Sequence, residues 1–243
     1  MIRNLIKIFA VIILVIIIFF FDKKVELKLS EKFIDSINIK YKNIQESTFV
    51  NDIEIMDIIN TVEYSILNKP IKDINIYLLE DYIESHSNID KAELYLDNDE
   101  ILNVEIFQKE PLFRVFEDNK SYYLDFSLDS FSLSPFYSAW VYHVYYDKMD
   151  DYKKNVLNEI LNIINSDKFF STQIFALEFD LNSELYIYFR TGNYKVLFGN
   201  KEEIKLKFEK FKIFYKNSID KIDLNKFSLI NLKFNNQVVC VKK

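Results

Sequence analysis

Glycine is almost missing from this chain, with 2 in 243 residues, and proline is little commoner, with 3. Loops that cradle phosphate or lift a nucleophile out of a turn need glycine, because the backbone must approach closely or take positive φ. Only Gly192 and Gly199 could serve. The stretch Tyr194 to Lys201 carries one of them but lacks the Gly-rich run and the Lys-Ser/Thr pair of a phosphate loop. It reads as a strand, a Gly-permitted turn and a capped helix. Other turns fall to Asn, Asp and Ser. Cysteine is reduced to Cys240, which rules out an intramolecular disulfide. With only two separated histidines, His86 and His143, no zinc pattern forms either. No metal, cofactor or small-molecule substrate is expected. Positive charge is also lacking: the net charge is -6, so nothing favours displacing counterions from a nucleic acid.

Acidic residues are plentiful, yet no arrangement of them reads as catalytic. Glu178 and Asp180 share a strand face without signs of an enclosed pocket. Asp150 and Asp151 begin a helix, where negative charge opposes the helix dipole. Ser138 and His143 are close in sequence, but that says little about a triad. The chain is therefore expected not to be an enzyme. What it has in quantity is aromatic: 16 Tyr and 23 Phe. These favour strands and packing between elements.

One apolar run stands out. Leu5 to Phe21 is broken only by Lys7. Its seventeen residues would span roughly 25 Å as a helix, at the short end for a bilayer core. No small-residue cleavage site follows, so an uncleaved transmembrane helix is expected. Arg3 and Lys7, before the uninterrupted stretch Ile8 to Phe21, nearly balance Lys23 and Lys24 after it. The large portion after the run favours a cytoplasmic N-terminus. The expectation is a single-pass protein of the bacterial inner membrane, type II, with its C-terminal domains periplasmic.

Beyond a juxtamembrane stretch, period-two alternation marks Ile37–Tyr41, Ala92–Leu96 and Leu102–Phe107 as strands. Helical spacing marks Phe49–Val62, with Asn51 or Asp52 as cap, and Ile71–His86, with Asp73 as cap. The resulting order is β-α-α-β-β. After Pro111 short aromatic strands follow, at Phe113–Phe116, Tyr122–Phe126, Val141–Tyr146, Ile174–Asp180, Glu184–Arg190 and Tyr194–Phe198. Two helices interrupt them, one with a stripe from Tyr152 to Ile164, the other over Lys201–Tyr215. Phe227–Phe234 and Val238–Val241 close the chain as edge-like strands around an Asn235-Asn236 turn. The expected class is α+β: a tip at 1–4, a transmembrane helix at 5–21, a juxtamembrane segment at 22–35, a first domain at 36–110, and a second at 111–243. The second domain is expected to be mixed α/β and dominated by an antiparallel sheet.

Several stretches, in order, resemble the bacterial cell-division family FtsQ/DivIB in its Bacteroidetes form. Glu80 to Lys91, with Ile89, is similar to the second helix of the family's POTRA domain and its exit. Leu102 to Pro111, followed by Phe113-Arg114-Val115-Phe116, resembles the boundary segment L-x-V-x-I-x-Q-R-x-P-x-x-R-V, with Lys109 where Arg is usual. Tyr122-Tyr123-Leu124-Asp125 and Leu133-Ser134 resemble the opening of the family's β domain, with Ser132 in place of its proline. Lys195–Gly199 and Asn231–Cys240 resemble later blocks. The resemblance implies a POTRA domain at 36–110 and an FtsQ-type β domain at 111–243. It also implies a divisome assembly role at the septum, with FtsB/DivIC-type and FtsL-type partners among other divisome proteins, in regulating septal peptidoglycan synthesis. Alternatives are a POTRA protein of a secretion or transport assembly, or a peptidoglycan-acting enzyme.

A closing strand pair leaves one edge free, and a free edge is a template for an added strand. By resemblance, the positions for an FtsB/DivIC-type partner are Asn231, Leu232, Lys233, Phe234 and Gln237, with Phe234 as aromatic anchor. On the helix before them, Lys205, Lys207, Lys210 and Lys212 are expected to form a positive rim facing acidic partner residues.

Overall fold

The computed structural model describes residues 11–19, 32–43, 48–67 and 69–243. Residues 11–19 are helical, with all nine side chains exposed. Among the described residues no helix is long and apolar enough to cross a membrane. The expected transmembrane helix at 5–21 is corrected accordingly, and so is the single-pass inner-membrane placement that rested on it. Residues 5–10 and 20–21 of that run lie outside the described residues, as does the tip at 1–4.

By contact density the chain divides into two units. The first runs to Lys109 and includes Ser134–Tyr137; the second comprises Glu110–Leu133 and Ser138–Lys243.

In the first unit, strand β1 (Ser36–Tyr41) is followed by helix α1 (Asp52–Val62). Asn51 caps α1 with a reciprocal pair. Its side chain accepts from the Glu54 N–H at 2.9 Å, and the Glu54 carboxylate accepts from the Asn51 N–H at 3.4 Å. Two orphan amides of the helix start are thereby satisfied. Helix α2 (Ile76–Glu84) begins later than the sequence suggests. Asp73 ends a short 3₁₀ turn, Ile74 is extended, and Asn75 is the cap, accepting from Leu78 N–H at 3.1 Å. Strands β2 (Ile89–Leu96) and β3 (Ile101–Gln108) form a hairpin. Asp97 makes its turn by accepting from the Asp99 and Ile101 amides. The sheet order is β1-β3-β2, with β1 parallel and β2 antiparallel to β3. Ile55, Ile59, Leu79 and Ile83, spaced one turn apart on their helices, pack with Leu102, Val104 and Ile106 in one core.

The second unit is built on a nine-stranded sheet. Its strands are β4 (Phe113–Glu117), β5 (Lys120–Leu124), β6 (Ser130–Phe131), β7 (Tyr142–Tyr146), β8 (Ile174–Phe179), β9 (Leu185–Phe189), β10 (Lys195–Gly199), β11 (Phe227–Asn231) and β12 (Val239–Lys242). They are ordered β12-β11-β10-β9-β8-β7-β4-β5-β6. Helices α3 (Asp151–Ser166), α4 (Lys168–Gln173) and α5 (Ile204–Ser218) supply the rest. The registers align Val115, Val144, Leu177, Ile187, Val196 and Ile230 in one row across six neighbouring strands. Every member of that row is fully buried. It meets Val156, Leu157 and Ile160 of α3, Phe170 of α4, and Phe208 and Phe211 of α5 in a single cluster. The row one residue away faces the other side and carries Arg114, His143, Tyr188 and Lys195. Alternation along each strand thus decides which face the helices cover.

Candidate functional site: the β11–β12 edge

The C-terminal end of the sheet places most of the expected partner residues together. Strand β11 runs parallel to β10, and β12 folds back antiparallel on β11, pairing Asn231 with Val239 and Ile230 with Cys240. β12 is terminal in the sheet and is paired on one side. Its apolar Val239 and Val241 alternate with Cys240, whose thiol burial pushes up, away from thiolate chemistry.

The connection between the two strands has a defined shape. Leu232 is fully buried, and its N–H donates to the Leu197 carbonyl at 2.9 Å. The Asn231 side chain accepts from the Lys233 N–H at 2.9 Å, so that amide is already used within the loop. The Lys233 ammonium pairs with Glu184, and that bond raises its pKa above the ordinary lysine value. The Lys233 stem lies across Gly199, where a Cβ would come within 2.8 Å of its Cγ. Gly199 also has φ +75, so this turn requires glycine twice over. Phe234 is 47% exposed and Gln237 is exposed beside the Asn235-Asn236 turn.

The four lysines of α5 separate. Lys205 points to solvent. Lys207 is buried, donating to the Asn200 carbonyl at 2.9 Å and to its side-chain oxygen at 3.3 Å, and burial holds its pKa below the usual lysine range. Lys210 reaches back over the loop and donates to the carbonyls of Leu232 at 2.7 Å and Phe234 at 2.6 Å. Burial lowers its pKa as well. Lys212 pairs with Asp167, the residue that caps α4. Spacing could have placed Lys207: it follows Ile204 by three and precedes Phe211 by four, on the buried stripe. Nothing local announced Lys210 as the anchor of a loop more than twenty residues away.

Residues with possible acid–base chemistry are occupied structurally. Glu178 bonds the Tyr188 hydroxyl, and Asp180 accepts from the Asn182 and Glu184 amides at 2.9 Å each. His143 lies on the sheet face beside Phe116, its pKa lowered by burial and then by Arg114 and Arg190. Among the described residues no group of three or more His, Cys, Asp or Glu is placed to hold a metal ion.

The chain thus combines a βααββ unit with a helix-backed mixed sheet whose terminal strand, among the described residues, is paired on one side. Residues 32–107 match the family profile described as a POTRA-like domain, and residues 110–241 match the one described as FtsQ/DivIB, C-terminal related. The latter covers more than half of the chain, and the chain belongs to the FtsQ/DivIB family. No curated protein matches it. Members of this family are non-enzymatic scaffolds of cell division that partner with FtsB- and FtsL-type proteins, and this chain is a division scaffold and not an enzyme.

Proposed function

We propose that this protein recruits an FtsB/DivIC-type partner by strand addition to β12, with Phe234 as the side-chain anchor, and through it links an FtsL-type partner to septal peptidoglycan synthesis. The observation that supports this most is the position of β12, last in its sheet and, among the described residues, paired with β11 alone. An edge strand offers a row of unpaired backbone groups to an incoming strand. Val239 and Val241 give such a strand an apolar face to pack on, and the exposed Phe234 adds the kind of aromatic that dominates interface energies. Lys233 is committed within the loop, so β12, Phe234 and the exposed Gln237 are the contact elements of this reading. Of the expected positive rim, Lys205 and the outer part of Lys212 remain at the surface, where they would speed encounter more than deepen affinity.

The test is capture of a purified FtsB/DivIC-type partner. Phe234→Ala should weaken capture more than about tenfold, equivalent to about 1.4 kcal/mol. Val241→Lys should also weaken it, because a charge on an edge strand opposes pairing. Circular dichroism should be unchanged in both variants. Unaltered capture by both folded variants would place the partner elsewhere.

A further inference from the structure

The sheet of the first unit also ends in a bare-looking strand. In the order β1-β3-β2, strand β2 pairs with β3 on one side and, among the described residues, with no strand on the other. Two of its outward amides are nevertheless taken. The Ala92 N–H donates to the Glu84 carboxylate at 2.9 Å, and the Leu94 N–H donates to the Glu80 carboxylate at 2.7 Å. Both carboxylates belong to α2.

The geometry explains why one helix can serve two strand positions. Glu80 and Glu84 are four residues apart, which is about 6 Å along a helix. Ala92 and Leu94 are two residues apart, which is about 6.8 Å along a strand. Helix and strand run in opposite directions, so Glu80 meets Leu94 and Glu84 meets Ala92. The adjacent stripe of α2, Leu79 and Ile83, is fully buried in the same core as Ala92 and Leu94. Packing of that stripe therefore holds the two glutamates in register with the edge.

We infer that Glu80 and Glu84 form a carboxylate clamp that closes the β2 edge to strand addition. The occupant it excludes is a second copy of this chain. Antiparallel pairing of two β2 strands about a twofold axis, with Ala92 opposite its copy, sets Lys91 of each strand against Glu93 of the other. Opposite charges directly across a strand pair favour that register. Lys91 and Glu93 already pair within one chain. An unclamped β2 is thus self-complementary, and the clamp keeps the chain from pairing with itself at this edge. This inference is independent of the proposed docking at β12.

The test uses the full chain. In the wild type, the Ala92 and Leu94 amides should be protected from hydrogen exchange. In Glu80→Ala/Glu84→Ala their exchange should accelerate at least tenfold, and sedimentation should show concentration-dependent dimers. Glu80→Gln/Glu84→Gln keeps two oxygen acceptors and should remain protected and monomeric. The single variant Glu84→Ala, which disturbs the helix least, should accelerate Ala92 and spare Leu94. Exchange of both amides at unprotected rates in the wild type would overturn the clamp. So would a double alanine variant that folds and stays monomeric, or a Glu84→Ala variant in which Ala92 exchange does not change.

Discussion

The Asp150 carboxylate accepts from the Lys153 N–H at 2.8 Å and from the Lys153 ammonium at 2.9 Å. It is the N-cap of α3 and the main counter-charge of a lysine that is 3% exposed. Burial alone would lower the Lys153 pKa, but the bond to Asp150, with the Asp150 and Asp147 charges, raises it overall. Asp147 lies farther off, at 3.6 Å. Asp150→Ala should cost about 2 kcal/mol, since an N-cap is worth about 1 and a buried ammonium loses its nearer partner. Asp150→Asn keeps the cap and should cost about half as much. The bond to Lys153, followed by the backbone amides, depresses the Asp150 pKa in the folded state. A depressed carboxyl pKa contributes stability above the unfolded value, lost as pH falls through the folded one. Denaturant titrations should therefore show wild-type stability declining below about pH 4, with a shallower decline in Asp150→Asn. Sequence spacing identified this pair of acids as helix-start charge. The buried lysine that gives Asp150 its second role comes from the packing of α3 on the sheet.

At the level of elements, α5 shows how one helix divides its side chains among separate tasks. Ile204, Phe208 and Phe211 join the core, whereas Lys210 ties down the loop that presents Phe234. Lys210→Ala leaves two carbonyls without their ammonium donor. It should speed hydrogen exchange across residues 232–238 and weaken partner capture severalfold, mainly through faster dissociation. Global stability should fall by about 1 kcal/mol. An unchanged exchange pattern would show that the buried Leu232 holds the loop without help. Strand positions were readable from the sequence because alternation is local and a strand's two faces meet different surroundings. Short elements were not: α4 spans six residues and β6 two, too little for a period to register. The start of α2 was misplaced for a similar reason. Asp73 and Asn75 are equally plausible caps by type, and the extended Ile74 between them decides for Asn75.

For the whole molecule, the two family matches and the two cores divide the chain around residues 108–110. The cluster of the second unit draws on residues from Leu112 to Leu232, with β4 and β5 at one end of its sheet and β11 and β12 at the other. A fragment of residues 110–243 should fold alone, with one cooperative transition in urea. A fragment of residues 138–243 should not, because it lacks β4, the parallel neighbour of β7, and with it Phe113 and Val115. A cooperative transition in the shorter fragment would show that β4 and β5 are dispensable.

By itself the sequence determined the composition-level exclusions, most strand and helix positions, and a family resemblance carried by ordered motifs. Those properties depend on residue type and on spacing over a few residues. Only the tertiary structure decided which lysines of α5 face inward, that Lys233 crosses Gly199, and that Glu80 and Glu84 cover the β2 edge. Each of these depends on where a side chain ends after distant segments have packed, and a long flexible side chain can serve core, loop or solvent from one backbone position. The apolar run at 5–21 marks the reverse case. Its hydropathy alone pointed to a membrane span, while among the described residues no helix is long and apolar enough to cross a membrane, and spanning is a matter of continuous helical length as well as composition.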